Sequence, residues 1–395
     1  MIRWRRLGLA LLVCELALGV SQASAGGKIS IDETKWISLG AGGRTSFGGK
    51  EDSSPDADNW SRDFNIDNAR IYISGQVHEY LKFELNTDCA FCGNSGLEEF
   101  VLLDAIAKIE LNSYFNIWAG RLLVPAERQE LNGPFYSSTY DAYKTPFYSS
   151  DFSVDFGSGG AGVYARDHGA NIWGAAGPGG ALQYVGGVFA GLQSGANKDD
   201  NPLLAARVAY NFLEVEKNPG YYTSGTYYGT GGNILTLGLA AQYQEDGSGS
   251  SNNPGDFFGL SSDLLFEMPT AAGAITFNGE FKHFSADYDS DAFADPDNFG
   301  MFDGDAFSVA GLYLFPQTVG IGKFQPYARY TGVYPDDSSD RDELELGLNY
   351  IIDGHNARIS LFYQYGDIAT KGLNYSSTAS GDDIHAVRLG VQLQI

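Results

Sequence analysis

Apolar and polar residues alternate with a period of two along most of this chain. Past the N-terminal segment, no run approaches the eighteen or so apolar residues of a membrane-spanning helix. Ala69, Ile71, Ile73 and Val77 alternate with Arg70, Tyr72, Ser74 and Gln76. Leu81, Phe83 and Leu85 alternate with Lys82, Glu84 and Asn86. Val101, Leu103, Ala105, Ala107, Ile109 and Leu111 mark one face of the next segment. The pattern returns over Leu235–Tyr243, Phe258–Met268, Ile275–Phe281, Leu344–Tyr350, Ala357–Tyr363 and Val387–Ile395. Successive side chains of a strand point to opposite faces, so the pattern predicts β-strands with one apolar face.

Composition narrows the class. Only 19% of residues are charged, which excludes a coiled coil or helical bundle, and plentiful aliphatic and aromatic residues exclude disorder. The formal net charge of −24 leaves no general attraction for nucleic acid. Met1–Ala25 reads as a secretory signal peptide. Arg3, Arg5 and Arg6 precede the apolar stretch Leu7–Val20, and Ala23-Ser24-Ala25 forms a cleavage site. Glu15 does not overturn that pattern. Cys14 follows Val13, where lipoprotein processing uses a small residue. Residues 26–395 are then expected as one exported domain.

Strands this long match the roughly 9–11 residues that cross a bilayer obliquely. In lipid every backbone N–H and C=O must be paired internally, so a spanning sheet must close. The connectors alternate in length. Short ones are His78–Tyr80, Asn112–Tyr114, Gly177–Gly180 and Asp353–Asn356. Long polar ones are Gly48–Phe64, Asp88–Glu99, Ala126–Gly160, Leu192–Asn201, Glu245–Gly255, Ala286–Asp305, Tyr334–Asp340 and Gly366–Asp383. That rhythm predicts an all-β transmembrane antiparallel β-barrel of about sixteen strands from Trp36 to Ile395, with tight periplasmic turns and long extracellular loops. Tyr80, Tyr114, Phe115, Phe212, Phe284, Phe315, Phe324 and Tyr350 fall near strand ends, where interfacial girdles are expected. A soluble sandwich or β-helix shares the alternation but not the strand length, the loop rhythm or these aromatics. Arg388–Ile395 resembles the terminal strand read by the barrel-assembly machinery, with Ile395 where an aromatic residue is usual.

Several motifs, in order, resemble the phosphate-selective porin O/P family of Gram-negative outer membranes. They are Phe64–Asp88, Leu103-Asp104-Ala105, Gly120-Arg121-Leu122-Leu123-Val124-Pro125, Arg166-Asp167-His168-Gly169, and Gly187-Val188-Phe189-Ala190-Gly191 with Ala190 where the family has Asn. Thr226-Tyr227-Tyr228-Gly229 and Leu235-Thr236-Leu237-Gly238 fit as well. The resemblance implies a sixteen-stranded barrel, a homotrimer in outer-membrane lipid and lipopolysaccharide, and a third outside loop folded into the pore. Residues 126–160 sit where that loop belongs.

The polar parity of each strand is expected to face a wet lumen. Arg or Lys facing lipid at the midplane costs about 2–4 kcal/mol. This assigns Arg70, Lys82, Glu84, Asp104, Lys108, Glu110, Arg207, Lys282, Arg329, Arg358 and Arg388 to the pore wall, with Asp263, Glu267, Glu280, Glu343 and Glu345 balancing them. Arg121 and Arg166 have no clear parity and are placed at the rim. In the constriction loop Arg128 and Lys144 face Glu127, Glu130, Asp141, Asp151 and Asp155. A ring of cations selects anions, so this loop departs from phosphate selectivity. The expected function is a passive porin for small hydrophilic solutes or ions, with a weak lean to cations.

Other chemistry is sparse. Cys89 and Cys92 form a C-x-x-C with no following His and no second pair, which predicts a local disulfide in an exported loop. Asp287, Asp289 and Asp291 have calcium-loop spacing, but Ala292 replaces the required Gly, so a solvated acidic rim is expected. No cofactor or metal is called for. Two rival functions are a barrel enzyme using one of His78, His168, His283, His355 or His385, and a barrel sheath around a multihaem cytochrome.

Overall fold

Each alternating segment becomes one strand, and each strand pairs with the next as an antiparallel hairpin. The structure, a computed structural model, describes residues 27–89, 92, 100–151, 162, 164–336, 338–368 and 383–395. The signal segment and Asp155 lie outside the described residues. A short strand β1 (Gly27–Ser30) pairs with the start of β2 (Trp36–Lys50). There follow β3 (Asp63–His78), β4 (Leu81–Cys89), β5 (Phe100–Glu110), β6 (Asn116–Leu123), β7 (Arg166–Ala176), β8 (Leu182–Phe189) and β9 (Leu203–Asn211). The second half holds β10 (Ile234–Gly249), β11 (Pro254–Thr270), β12 (Gly273–Asp287), β13 (Gly304–Leu314), β14 (Lys323–Pro335), β15 (Arg341–Asp353), β16 (Ala357–Gly366) and β17 (Ile384–Gln394).

Strand β17 returns to β2, in register from Ala386 opposite Lys50 to Gln394 opposite Gly42. That pairing closes β2–β17 into a sixteen-strand antiparallel barrel. The seam extends past the strand end, where the Ile395 amide donates to the Ala41 carbonyl at 2.8 Å and the Ala41 amide to the Ile395 carbonyl at 3.0 Å. Among the described residues each of β2–β17 has a partner on both sides, the condition for a sheet in lipid.

The parity is as the sequence dictates. Along β9, Leu203, Ala205, Arg207, Ala209 and Asn211 are buried, while Leu204, Ala206, Val208 and Tyr210 are exposed. Leu39, Ile71, Leu85, Leu237, Leu260, Leu346, Leu361 and Leu389 belong to an exposed apolar belt on the outer wall. Aromatics flank that belt. At the short-turn end Tyr80, Tyr114, Phe115, Phe212 and Phe315 are exposed. At the other end Phe47 stacks on Phe64 at 4.5 Å and Phe307 on Tyr334 at 6.1 Å.

Three expectations need correction. Phe284 does not belong to a girdle: it is fully buried, faces inward, and packs on Tyr148 at 4.7 Å and Phe257 at 5.4 Å. Its parity on β12 matches Lys282, which decides the face. Glu245–Gly255 is not a long loop, because β10 continues to Gly249 and β11 begins at Pro254. The polar residues there extend the hairpin above the apolar belt. Finally, residues 212–233 form a long connector at the end where the other turns are short, and the connector-length rhythm did not show it.

Candidate functional site: the barrel interior

The connector between β6 and β7 does not stand above the barrel. It turns into the lumen and carries the helix α1 (Arg128–Tyr136), the one α-helix among the described residues. Polar wall residues capture its backbone. Arg358, with no exposed surface, donates to the carbonyls of Ser137 at 2.8 Å and Ser138 at 3.4 Å. Gln392 donates to Phe135 O at 2.9 Å, Gln242 to Pro125 O at 3.0 Å and Arg207 to Ala126 O at 3.0 Å. Arg329 donates to Thr139 Oγ1 at 2.7 Å and to the Asp141 carbonyl at 2.5 Å. An irregular backbone inside a barrel needs such partners for groups withdrawn from water.

The wall is shaped to receive the loop. A Cβ on Gly390 of β17 would lie 2.5 Å from the Tyr140 ring, so only glycine leaves room for that side chain. The Tyr140 hydroxyl donates to Asp67 at 2.6 Å, and the Arg44 guanidinium lies 4.1 Å from its ring centre. Arg70 sits 5.0 Å from the Phe135 ring, and Lys282 sits 4.7 Å from Tyr148.

The loop's charges mate with the wall's charges. Glu127 and Glu130 bracket Lys282 at 3.0 and 3.2 Å, all buried. Lys144 bonds Glu343 at 2.8 Å and Asp141 at 3.1 Å, and Asp141 also faces Arg388 at 3.6 Å. Arg128 forks onto Glu216 through two 2.7 Å bonds and lies 3.2 Å from Asp263, which also pairs with Arg207. Arg329 bonds Glu345 at 2.7 Å. On the β3–β7 wall the pairs are Arg70–Asp88, Arg166–Asp104, Lys108–Glu84 and Lys82–Glu110.

These contacts join the loop to Lys282, Arg329, Arg388 and Arg207 on the wall. Arg166 reaches inward to Asp104 at 3.0 Å. Arg121 is opposite Ala105 and His168 in register, on the other parity from Trp118. Burial pushes the Glu127 carboxyl up, Lys282 pulls it down and Glu130 pushes it up, and the net direction is up. Burial opposes the charge of Asp141, but Lys144, Arg388 and Arg329 hold its carboxyl well below the usual range.

A small cavity of about 30 Å³ lies between the inner loop and the barrel wall. Arg128, Lys144, Arg329, Gln129 and Thr139 line one side, with Asn278, Glu280 and Ser308 on the barrel wall. Its three cations each already hold a carboxylate, whereas Glu280 meets Thr145 Oγ1 at 2.7 Å.

Cys89 and Cys92 are joined as a disulfide at the top of β4. Asp287, Asp289 and Asp291 do not converge. Among the described residues, the acidic group tight enough for an ion is Asp342, Asp367 and Asp383 at the long-loop rim. His355 lies 3.1 Å from Ser224 Oγ. Its Nε2 also lies 2.9 Å from the Thr226 carbonyl, which can only accept, so Nε2 carries the proton and cannot take one from Ser224.

Sequence reasoning missed the interior residues Arg44, Asp67 and Asp88 on β2–β4 and Glu216 in a connector, and it placed His355 in a turn without its buried setting. Glu216 and His355 lie in connectors, where a period-two pattern carries no information.

No protein-family model and no curated protein sequence matches the chain. Solved structures do match its fold. The chain is similar to OmpF of Salmonella typhi in complex with daunomycin (TM-score 0.59, 12% identity, 93% of this chain and 100% of that one). It is also similar to an anion-selective porin from Comamonas acidovorans (TM-score 0.57, 14% identity, 91% and 100%) and to the outer membrane channel DcaP of Acinetobacter baumannii (TM-score 0.54, 10% identity, 94% and 100%). The architecture is that of outer-membrane porin barrels.

Proposed function

We propose that this protein is an outer-membrane porin: a passive, water-filled channel for small hydrophilic solutes, with a weak preference for cations. The observation that carries the reading is the loop segment 124–151 folded into the lumen of a closed barrel with an apolar exterior and a charged interior. The short turns then face the periplasm and the long loops the outside.

Charge at the narrowest section sets selectivity, because the field is focused there and water screens least. Around the inner loop stand Arg44, Arg128, Lys144, Arg207, Lys282, Arg329, Arg358 and Arg388. Against them stand Glu127, Glu130, Asp141, Glu216, Asp263, Glu280, Glu343 and Glu345. The two signs balance there, but within the loop itself Glu127, Glu130, Asp141 and Asp151 outnumber Arg128 and Lys144, and the cations lining the cavity are already paired with carboxylates. A phosphate entering there would displace carboxylates rather than fill a vacant cationic site. This supports a cation lean against the phosphate preference that the family resemblance implies. The bore is occupied by the chain's own loop, which argues against a sheath around a cytochrome. The homotrimer, the export signal and the C-terminal assembly signal belong to the same proposal. Chemical cross-linking of intact outer membranes, read by the mass of the linked species, tests the trimer.

Single-channel recording under a KCl gradient tests the selectivity. The expected reversal potential lies on the cation side, with no block by submillimolar phosphate. Glu130→Gln with Asp141→Asn should move it toward anions. Asp295→Asn with Asp297→Asn, in an outer loop, should move it little at about 0.15 M salt, where the screening length is about 8 Å. A reversal potential near the chloride limit overturns the reading.

A further inference from the structure

We infer that residues 212–233 form a second constriction element, which enters the bore from the short-turn end and, with the inner loop, sets the width of the passage. The inference rests on the channel reading above and adds a gate-forming segment to it.

The segment is surplus to the connection it makes. The ladder between β9 and β10 runs on past the strand ends, with the Phe212 amide on Leu235 O at 2.8 Å and the Glu214 amide on Asn233 O at 2.9 Å. A two-residue turn could close the hairpin at that point. The other connectors at this end are far shorter. Residues 215–232 instead fold inward, where Thr226 is fully buried and Ser224, Tyr221 and Glu216 nearly so.

The wall latches the segment. Glu267 of β11, without exposed surface, accepts from the backbone amides of Tyr227 at 3.0 Å and Gly229 at 2.8 Å and from Thr226 Oγ1 at 2.7 Å. A buried carboxylate with that many donors is a fixed docking point rather than a passing contact. The segment also grips the inner loop. Glu216 holds Arg128 in a bidentate fork, and Thr223 Oγ1 donates to Arg128 O at 2.8 Å. The Tyr221 hydroxyl donates to Leu123 O at 2.6 Å, and the Gly225 amide to Tyr136 O at 2.8 Å. A Cβ at Gly225 would lie 2.6 Å from the Ser138 amide nitrogen, so the two chains touch backbone to backbone.

Tyr221 and Tyr222 press on Trp118 from inside, which fills that side of the bore. At the same end, inward residues that keep partial exposure lie on β3–β5: Tyr72, Ser74, Gln76, Lys82, Glu84 and Glu110. The passage therefore leaves the barrel along that wall.

The experiment excises residues 215–232 and joins Glu214 to Asn233 through Asn-Gly. Gly225→Leu, which wedges the two segments apart, is read in parallel. Single-channel conductance in KCl and swelling of liposomes in neutral sugars of rising size are measured for both and for the full chain. The expected result is a rise in conductance of about twofold or more on excision, with admission of larger sugars, and a smaller rise for Gly225→Leu. Unchanged conductance and size limit in excised channels overturn the inference. If the excised chain does not assemble, unchanged values for Gly225→Leu overturn it. A full-length chain that neither conducts nor swells liposomes overturns the channel reading instead, so the two failures are distinct.

Discussion

Lys282 shows how a single residue holds the inner loop. Its ammonium group lies between Glu127 and Glu130 and donates to the Pro146 carbonyl at 3.0 Å, with no exposed surface. Removing one partner of a buried ion pair costs about 3–5 kcal/mol, because the other charge stays buried and unpaired. Lys282→Met should therefore loosen the loop and lower the temperature at which the folded barrel loses its compact mobility on electrophoresis. Equal midpoints for both proteins would show that the loop is held elsewhere. His355 is the pH-sensitive residue of the lower end. Burial pushes its imidazole down from 6.5 to about 4, Arg358 adds to that, and the bonds to the backbone of Thr226 and Phe135 oppose it. The rings of Tyr136 and Tyr228 cover it. Burial pushes the Glu216 carboxyl up, but Arg128 holds it below the usual range. The docked state binds fewer protons at His355 than the undocked state. Docking of residues 212–233 is thus fully supported above about pH 6.5 and weakens as pH falls toward 4. Conductance should rise across that window in the native channel, and His355→Gln should abolish the step. A step that persists in the variant would assign the titration to another group.

Elements differ in what they owe to their own sequence. Strands β9, β11 and β15 alternate buried and exposed residues along nearly their whole length, and a hairpin with such a pattern has one workable register. The inner loop has no such pattern. Its place is set by wall donors from distant strands, Arg358 and Gln392 from the C-terminal strands and Gln242 and Arg207 from the middle ones. The Cys89–Cys92 disulfide closes a very short loop at the top of β4. Such a small loop constrains the unfolded chain little, and the pair lies away from the cavity. Cys89→Ser with Cys92→Ser should leave barrel assembly and conductance close to the native values. A large drop in either would give the disulfide a role beyond its own loop.

At the scale of the molecule, closure is the feature that matters. The β17–β2 seam pairs residues more than three hundred positions apart, and it removes the edges that would otherwise face lipid. Circular dichroism in detergent should show mainly β-structure, and carbonate or urea should leave the protein in the membrane. A helical spectrum or ready extraction would contradict the barrel. The outer belt is apolar, and the buried Arg, Lys, Asp and Glu side chains lie on the inner face beside apolar clusters such as Phe257, Phe284 and Phe302.

The strands, their inward faces, the strand number and the charged wall follow from the sequence alone. A period of two assigns every side chain to a face, and lipid forces the sheet to close. The tertiary structure alone decided which charges pair, because Arg128–Glu216 and Lys144–Glu343 join residues that no local pattern relates. The inward face of Phe284 was legible from its shared parity with Lys282, and the girdle expectation weighed its strand-end position instead; what the fold added is its packing on Tyr148 and Phe257. It also placed residues 212–233 in the bore. A connector's path depends on which distant donors and acceptors reach its backbone, here Glu267 and Arg128, and these exist as neighbours only once the barrel has closed.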